Sequence, residues 1–195
     1  MKRRLLIAGL GNPGREYVYT RHNAGFMLAD RLASRWGFAW RAEKKFFAEV
    51  AEGVAVGQSV VLCKPQTYMN NSGEAIGAVI GFHRIPASDV LVVVDDADLS
   101  LGSMRMRPEG GAGGHHGLES VESHIGSKAY ARVRLGVARP DQGVRDIANH
   151  VLGRFTATEL DIWEMVLNRA VDQAEAWLGS GVAKAMNLYN GSVVK

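Results

Sequence analysis

Cysteine is almost absent from these 195 residues: Cys63 stands alone, which excludes a disulfide within the chain. It closes the apolar run Val60–Cys63, where a buried structural thiol is expected rather than a nucleophile. Long hydrophobic runs are missing too. Leu5–Leu10 and Val90–Val94 fall far short of the ~20 apolar residues of a membrane-spanning helix. The opening Met1-Lys2-Arg3-Arg4 passes straight into a strand-like segment without a cleavage site, so a soluble, cytoplasmic protein is expected. Repeats, low-complexity tracts and linkers are also lacking, and glycine and proline punctuate the chain without accumulating. With 47% hydrophobic and 22% charged residues, the expectation is a single domain over 1–195 with one substantial core.

Net charge is small, +3, but unevenly placed. Arg15, Arg21, Arg31, Arg35, Arg41, Lys44 and Lys45 crowd the first quarter, whereas Glu159, Asp161, Glu164, Asp172 and Glu175 make 156–178 acidic. Such asymmetry suits a polyanion on one face, and suits ordinary solvated surface charge equally well.

Leu5–Leu10, Val60–Cys63 and Val90–Val94 are short unbroken runs rich in branched residues, the pattern of strands covered on both faces. Phe46–Val54 reads as one arm of a hairpin with Val56–Lys64, turning through Gly53 and Gly57. Phe26, Ala29, Leu32, Ala33 and Trp36 recur at helical spacing, and Ala75–Phe82 is a weaker helix. Strands alternating with helices predict an α/β sheet. The clearest helix has a capping box at Thr156 and Glu159, a Phe155 to Leu160 staple, and a core stripe of Leu160, Trp163, Leu167, Ala170, Ala174 and Trp177. That helix is read as structural.

In open α/β sheets ligands bind beyond the carboxyl ends of the strands. Three segments lead there: Gly11-Asn12-Pro13-Gly14 running on to Tyr17, Thr20, Arg21, His22 and Asn23; Pro65 to Gly73; and Asp95-Asp96-Ala97-Asp98, followed by Arg105, Arg107 and the loop Gly110 to Gly117. Gly9-x-Gly11-x-x-Gly14 imitates a dinucleotide fingerprint. Pro13 sits where the phosphate-facing helix should donate amides, and Asp30 falls inside a helix rather than at the end of a second strand. No Gly-x-Ser-x-Gly elbow supports a serine nucleophile. Water therefore remains the nucleophile, and water needs a base near neutral pH, for which histidine is suited. His22 stands at a helix start with Asn23 as a cap, and Asp95 ends the most buried strand, where an imidazole is its natural partner. Asn12, Asn70 and Asn71 lie in neighbouring loops; amides there can hold a carbonyl or an oxyanion, although turn formation explains any one of them. A metallohydrolase using Asp95, Asp96, Asp98, His115 and His116 is the alternative chemistry, but no recognisable ligand spacing supports it.

Gly9 to Gly14 with Tyr17 and Thr20-Arg21-His22-Asn23-Ala24-Gly25 resembles the signature of the bacterial-type peptidyl-tRNA hydrolases. Lys64 to Gly73, Asp95 to Leu99 with Gly102 and the loop ending Gly113-Gly114-His115, Arg134 to Val137 with Arg139-Pro140, and Val151 to Phe155 extend the resemblance over nearly the whole chain. It implies a monomeric, cofactor-free and metal-free enzyme with a mixed twisted sheet surrounded by helices. Such an enzyme hydrolyses the ester between a peptide and the tRNA 3′ ribose. On this resemblance His22 is the general base, Asp95 orients it, and Asn12, Tyr17, Tyr68, Met69, Asn70, His115 and His116 line or position the substrate. Arg105, Arg107, Arg134 and Arg145 meet the tRNA. The chain departs from the family pattern at His116, where asparagine is usual, and after Arg139-Pro140, where Arg145 is the nearest counterpart of a phosphate-clamping lysine. A non-catalytic RNA-binding relative is the rival from another class. The joint presence of Asn12, His22, Asn70 and Asp95 argues against it.

Overall fold

The computed structural model describes residues 3–139 and 147–194. Eight strands form one sheet: β1 (Arg4–Gly9), β2 (Arg41–Glu43), β3 (Ala48–Ala55), β4 (Gln58–Pro65), β5 (Val90–Asp96), β6 (Ser103–Arg107), β7 (Ala131–Gly136) and β8 (Gly191–Ser192), in the order β2-β3-β4-β1-β5-β7-β6-β8. The four central strands run parallel, and antiparallel strands flank them, so the sheet is mixed as expected. Among the described residues six α-helices cover it: α1 (Ala24–Trp36), α2 (Ser72–His83), α3 (His116–Ile125), α4 (Ile147–Leu152), α5 (Ala157–Ser180) and α6 (Val182–Tyr189).

The central strands are apolar throughout because both faces are covered. In β1, Leu5 and Ile7 point into a core shared with α1, α5 and α6, while Leu6 and Ala8 point into a second core shared with α2 and α3. Cys63 lies fully inside this second core, where burial alone pushes its thiol up to about 12. Among the described residues no helix is long and apolar enough to cross a membrane.

The hairpin differs from its expected form. β3 continues past Gly53, which pairs with Val60 under the Phe38 ring, and the chain turns at Val56-Gly57. Both turn residues have positive φ, 52° and 73°, as a tight right-twisted hairpin requires. A β-branched side chain is strained there. Val56→Asn is expected to raise stability by about 1 kcal/mol in urea denaturation. An unchanged or lower midpoint would show that Val56 is relieved by its packing on Gly179.

Helix α5 has its capping box at Thr156 and Glu159, but Leu160 is 46% exposed and leaves the core stripe. Phe155 stacks instead on Trp163, with ring centroids 4.5 Å apart, and the buried stripe adds Val166, Val171 and Leu178. The uneven charge is resolved by pairing: Arg31 meets Glu164, Arg35 meets Glu175 and Arg21 meets Glu159. Three of the seven basic residues of the first quarter thus face the acidic helix packed against α1.

Candidate active site

Glycines bring the three loops together. A Cβ on Gly25 would sit 2.3 Å from the Leu10 amide nitrogen and 2.4 Å from the Val93 carbonyl oxygen, and one on Gly9 would sit 2.0 Å from the Gly25 carbonyl oxygen. The first turn of α1 therefore lies directly on β1 and β5. Gly11 is pressed by the Phe26 ring, and Gly14 has φ 117°. The fingerprint-like glycine spacing reflects helix-on-strand packing at Gly9 and a turn at Gly14.

Asn23 does not cap α1 with its side chain. Its carboxamide instead accepts from the Asn12 amide at 2.8 Å and donates to the Asn12 carbonyl at 2.9 Å. The Asn12 side-chain oxygen accepts from the Met69 amide at 2.7 Å, tying the loop after β1 to the loop after β4. That bond fixes the amide orientation of Asn12, so its Nδ2 is the group left to donate into the cleft.

His22, in the short 3-10 turn Arg21–Asn23, presents Nδ1 to both oxygens of Asp95, at 3.0 and 3.1 Å. His115, at the N-cap of α3, presents Nε2 to Oδ1 of the same carboxylate at 3.1 Å. Asp95 is only 3% exposed. Burial would push its carboxyl up, but the hydrogen bonds it accepts from His115 and His22 outweigh this and hold it well below the usual carboxylate range. An ionised carboxylate only accepts, so both facing ring nitrogens carry protons. Nδ1 of His115 accepts from the Leu118 amide at 3.4 Å, in keeping with that tautomer. Nε2 of His22 then holds a lone pair, and it bonds to no described residue.

His22, Asp95 and His115 also offer ligand atoms within 4.8 Å of one another. Both rings aim at the carboxylate itself, so a cation would have to displace Asp95 from two hydrogen bonds. The other acidic residues of the metal alternative are engaged elsewhere: Asp96 pairs with Arg134, and Asp98 with Arg139.

The cleft above this group has a volume of about 800 Å³. Asn12, His22, Tyr68, Met69, Asn70, Asp95, Gly113, Gly114, His115 and His116 are among the residues that line it. Tyr17 is not on its wall; its carbonyl accepts from the Thr20 amide and hydroxyl. His116 is exposed and pairs with Glu119 at 2.9 Å, one helical turn on. Opposite stands an apolar wall from α4, formed by Ile147, Ala148, Val151 and Leu152, which no pattern in the sequence announces.

Arg105 and Arg107 are exposed on β6, outside the cleft, in register with Arg134 and Arg132 of β7 and therefore on one face with them. The two inner arginines are engaged. Arg132 donates to Gly110, and Arg134 to Gly111, Ala112 and Asp96, so they hold the glycine loop. Arg145 lies outside the described residues.

The family described as peptidyl-tRNA hydrolase matches residues 6–195. A peptidyl-tRNA hydrolase of Synechococcus sp. (strain JA-2-3B'a(2-13)) is 48% identical over 185 residues, covering 95% of this chain and 82% of that one. One from Thermosynechococcus vestitus is 46% identical over 194 residues, covering 97% and 95%. The crystal structure of peptidyl-tRNA hydrolase from Acinetobacter baumannii shares the fold at a TM-score of 0.92 and 34% identity, covering 98% of this chain and 97% of that one. By sequence over nearly its full length, and by fold, this chain belongs to the peptidyl-tRNA hydrolase family.

Proposed function

We propose that the cleft hydrolyses the ester between a peptide and the 3′ ribose of tRNA, with water activated by His22, and so returns tRNA to use. The free Nε2 of His22, backed through Nδ1 by buried Asp95, carries this reading. Water attacks the ester carbonyl as its proton passes to Nε2, and the Asp95 charge stabilises the resulting imidazolium. Nδ2 of Asn12, with help from Asn70, donates to the oxyanion. Collapse of the tetrahedral intermediate expels the ribose oxygen, which takes the proton back from Nε2. His115 holds the second lone-pair direction of Asp95, while Tyr68, Met69 and His116 flank the substrate. His116 serves as a hydrogen-bonding partner in place of an amide. A cytoplasmic, monomeric working form is part of the proposal.

The test is release of labelled peptide from N-acetyl-aminoacyl-tRNA by the purified protein in excess chelator. The expected rate equals that without chelator; a requirement for added zinc or manganese would move the chemistry to a metal at His22, Asp95 and His115.

The tRNA body is assigned to the β6–β7 face. Arg105→Gln and Arg107→Gln are each expected to weaken tRNA binding and reduce its salt dependence by about one unit, leaving a short ester substrate untouched. Arg134→Gln is expected to damage both substrates, because Arg134 holds the glycine loop at the cleft. An unchanged salt slope in the first two variants would remove β6 from the RNA interface.

A further inference from the structure

What fixes the turn that carries His22 is not supplied by the cleft itself. Arg21 precedes His22 and points away from it, with a side chain only 8% exposed. Its Nη2 donates to Glu159 Oε2 at 2.7 Å, its Nη1 donates to the His150 carbonyl at 3.3 Å, and its guanidinium lies 5.2 Å from the centre of the Phe155 ring. Its backbone amide donates to the Gly153 carbonyl at 2.9 Å, and Thr20 forms a β-bridge with Arg154. Every one of these partners lies between the middle of α4 and the first turn of α5.

Glu159 is equally divided. The oxygen that receives Arg21 also accepts the Thr156 amide at 2.7 Å, closing the capping box of α5. Burial would raise its carboxyl, but the Thr156 bonds and Arg21 outweigh this and hold it below the usual range. A single carboxylate thus starts the longest helix and grips the residue beside the catalytic histidine.

We infer that Arg21 and Glu159 are positioning residues, which hold the His22 ring against Asp95 by clamping its backbone turn to the start of α5. The inference rests on His22 being the base. A ring displaced by a fraction of an ångström keeps its fold and loses alignment with attacking water, so the expected signature is in turnover and in the His22–Asp95 hydrogen bond rather than in substrate binding.

Glu159→Gln retains an acceptor for the Thr156 amide and removes the charge that grips Arg21. Thr156→Ala does the reverse: it removes the hydroxyl half of the capping box and leaves the Arg21–Glu159 pair. Both are measured, beside Arg21→Met, for melting temperature, for kcat and KM on N-acetyl-aminoacyl-tRNA, and for the downfield Hδ1 resonance of His22. Glu159→Gln is expected to lower kcat about tenfold with KM little changed, and to shift or broaden that resonance. Thr156→Ala is expected to lower the melting temperature while leaving resonance and kcat alone. If both variants lose melting temperature and both keep the resonance and kcat, the pair is purely structural and the inference is overturned. The two readings fail separately: His22→Ala at wild-type rate removes the base, whereas an unmoved resonance in Glu159→Gln removes the clamp.

Discussion

His22→Ala is expected to lose roughly two to four orders of magnitude in turnover while tRNA binding largely survives, the usual worth of a positioned general base. Turnover near the wild-type value would remove His22 from the mechanism. Asp95→Asn is expected to act in the same direction and more mildly. The carboxamide oxygen of that variant could still accept both ring protons from the position of Oδ1, where both histidines converge, but the charge that stabilises the imidazolium is gone. The same reasoning separates His115 from His22. Its Nδ1 faces the Leu118 amide and its Nε2 faces Asp95, so it has no lone pair to offer water and acts by holding the carboxylate.

Gly25→Ala is expected to cost about 3 kcal/mol or more of stability. The added carbon would fall within 2.5 Å of the Leu10 nitrogen and the Val93 and Leu10 carbonyl oxygens, all of them backbone atoms in the centre of the sheet. Relief would require lifting α1 off β1 and β5, and with it the turn that carries His22. For a domain held by roughly 5–15 kcal/mol this is a large fraction. Urea denaturation would read the loss as a lower midpoint at unchanged slope, and a midpoint within about 0.5 kcal/mol of wild type would contradict the close packing.

Legibility from sequence follows burial. β1, β4 and β5 announce themselves as apolar runs because both of their faces are covered, and α5 is marked by Thr156 and Glu159. β6 does not read as a strand: Met104 and Met106 face the core while Arg105 and Arg107 face outward, and two methionines between arginines give a weak alternation. α3 begins at His116-Gly117 and buries little beyond Leu118 and Val121, so its polar sequence reads as loop. The apolar wall of α4 spans too few residues for a helical period to show.

In the site, the pairing of His22 with Asp95 is legible from a histidine at a helix start and a carboxylate at the end of a buried strand. The second histidine is not. Sequence order puts His115 in a glycine-rich loop facing substrate, and only the return of that loop over β5, held by Arg132 and Arg134, turns its ring onto Asp95. Asn23 reads as a helix cap and serves as a brace for Asn12, because a short carboxamide can satisfy either backbone partner and the packing of Gly25 decides which is near. Arg21, Arg31 and Arg35 look available for RNA because their acidic partners lie more than a hundred residues away in sequence.

That buried Asp95 sets the tautomer of His22 is open to direct observation by nitrogen NMR of imidazole-labelled protein at mildly alkaline pH. The expected spectrum has the His22 proton on Nδ1 with Nε2 bare, and the His115 proton on Nε2 with Nδ1 bare. A His22 proton on Nε2 would leave the cleft without its base and contradict the mechanism.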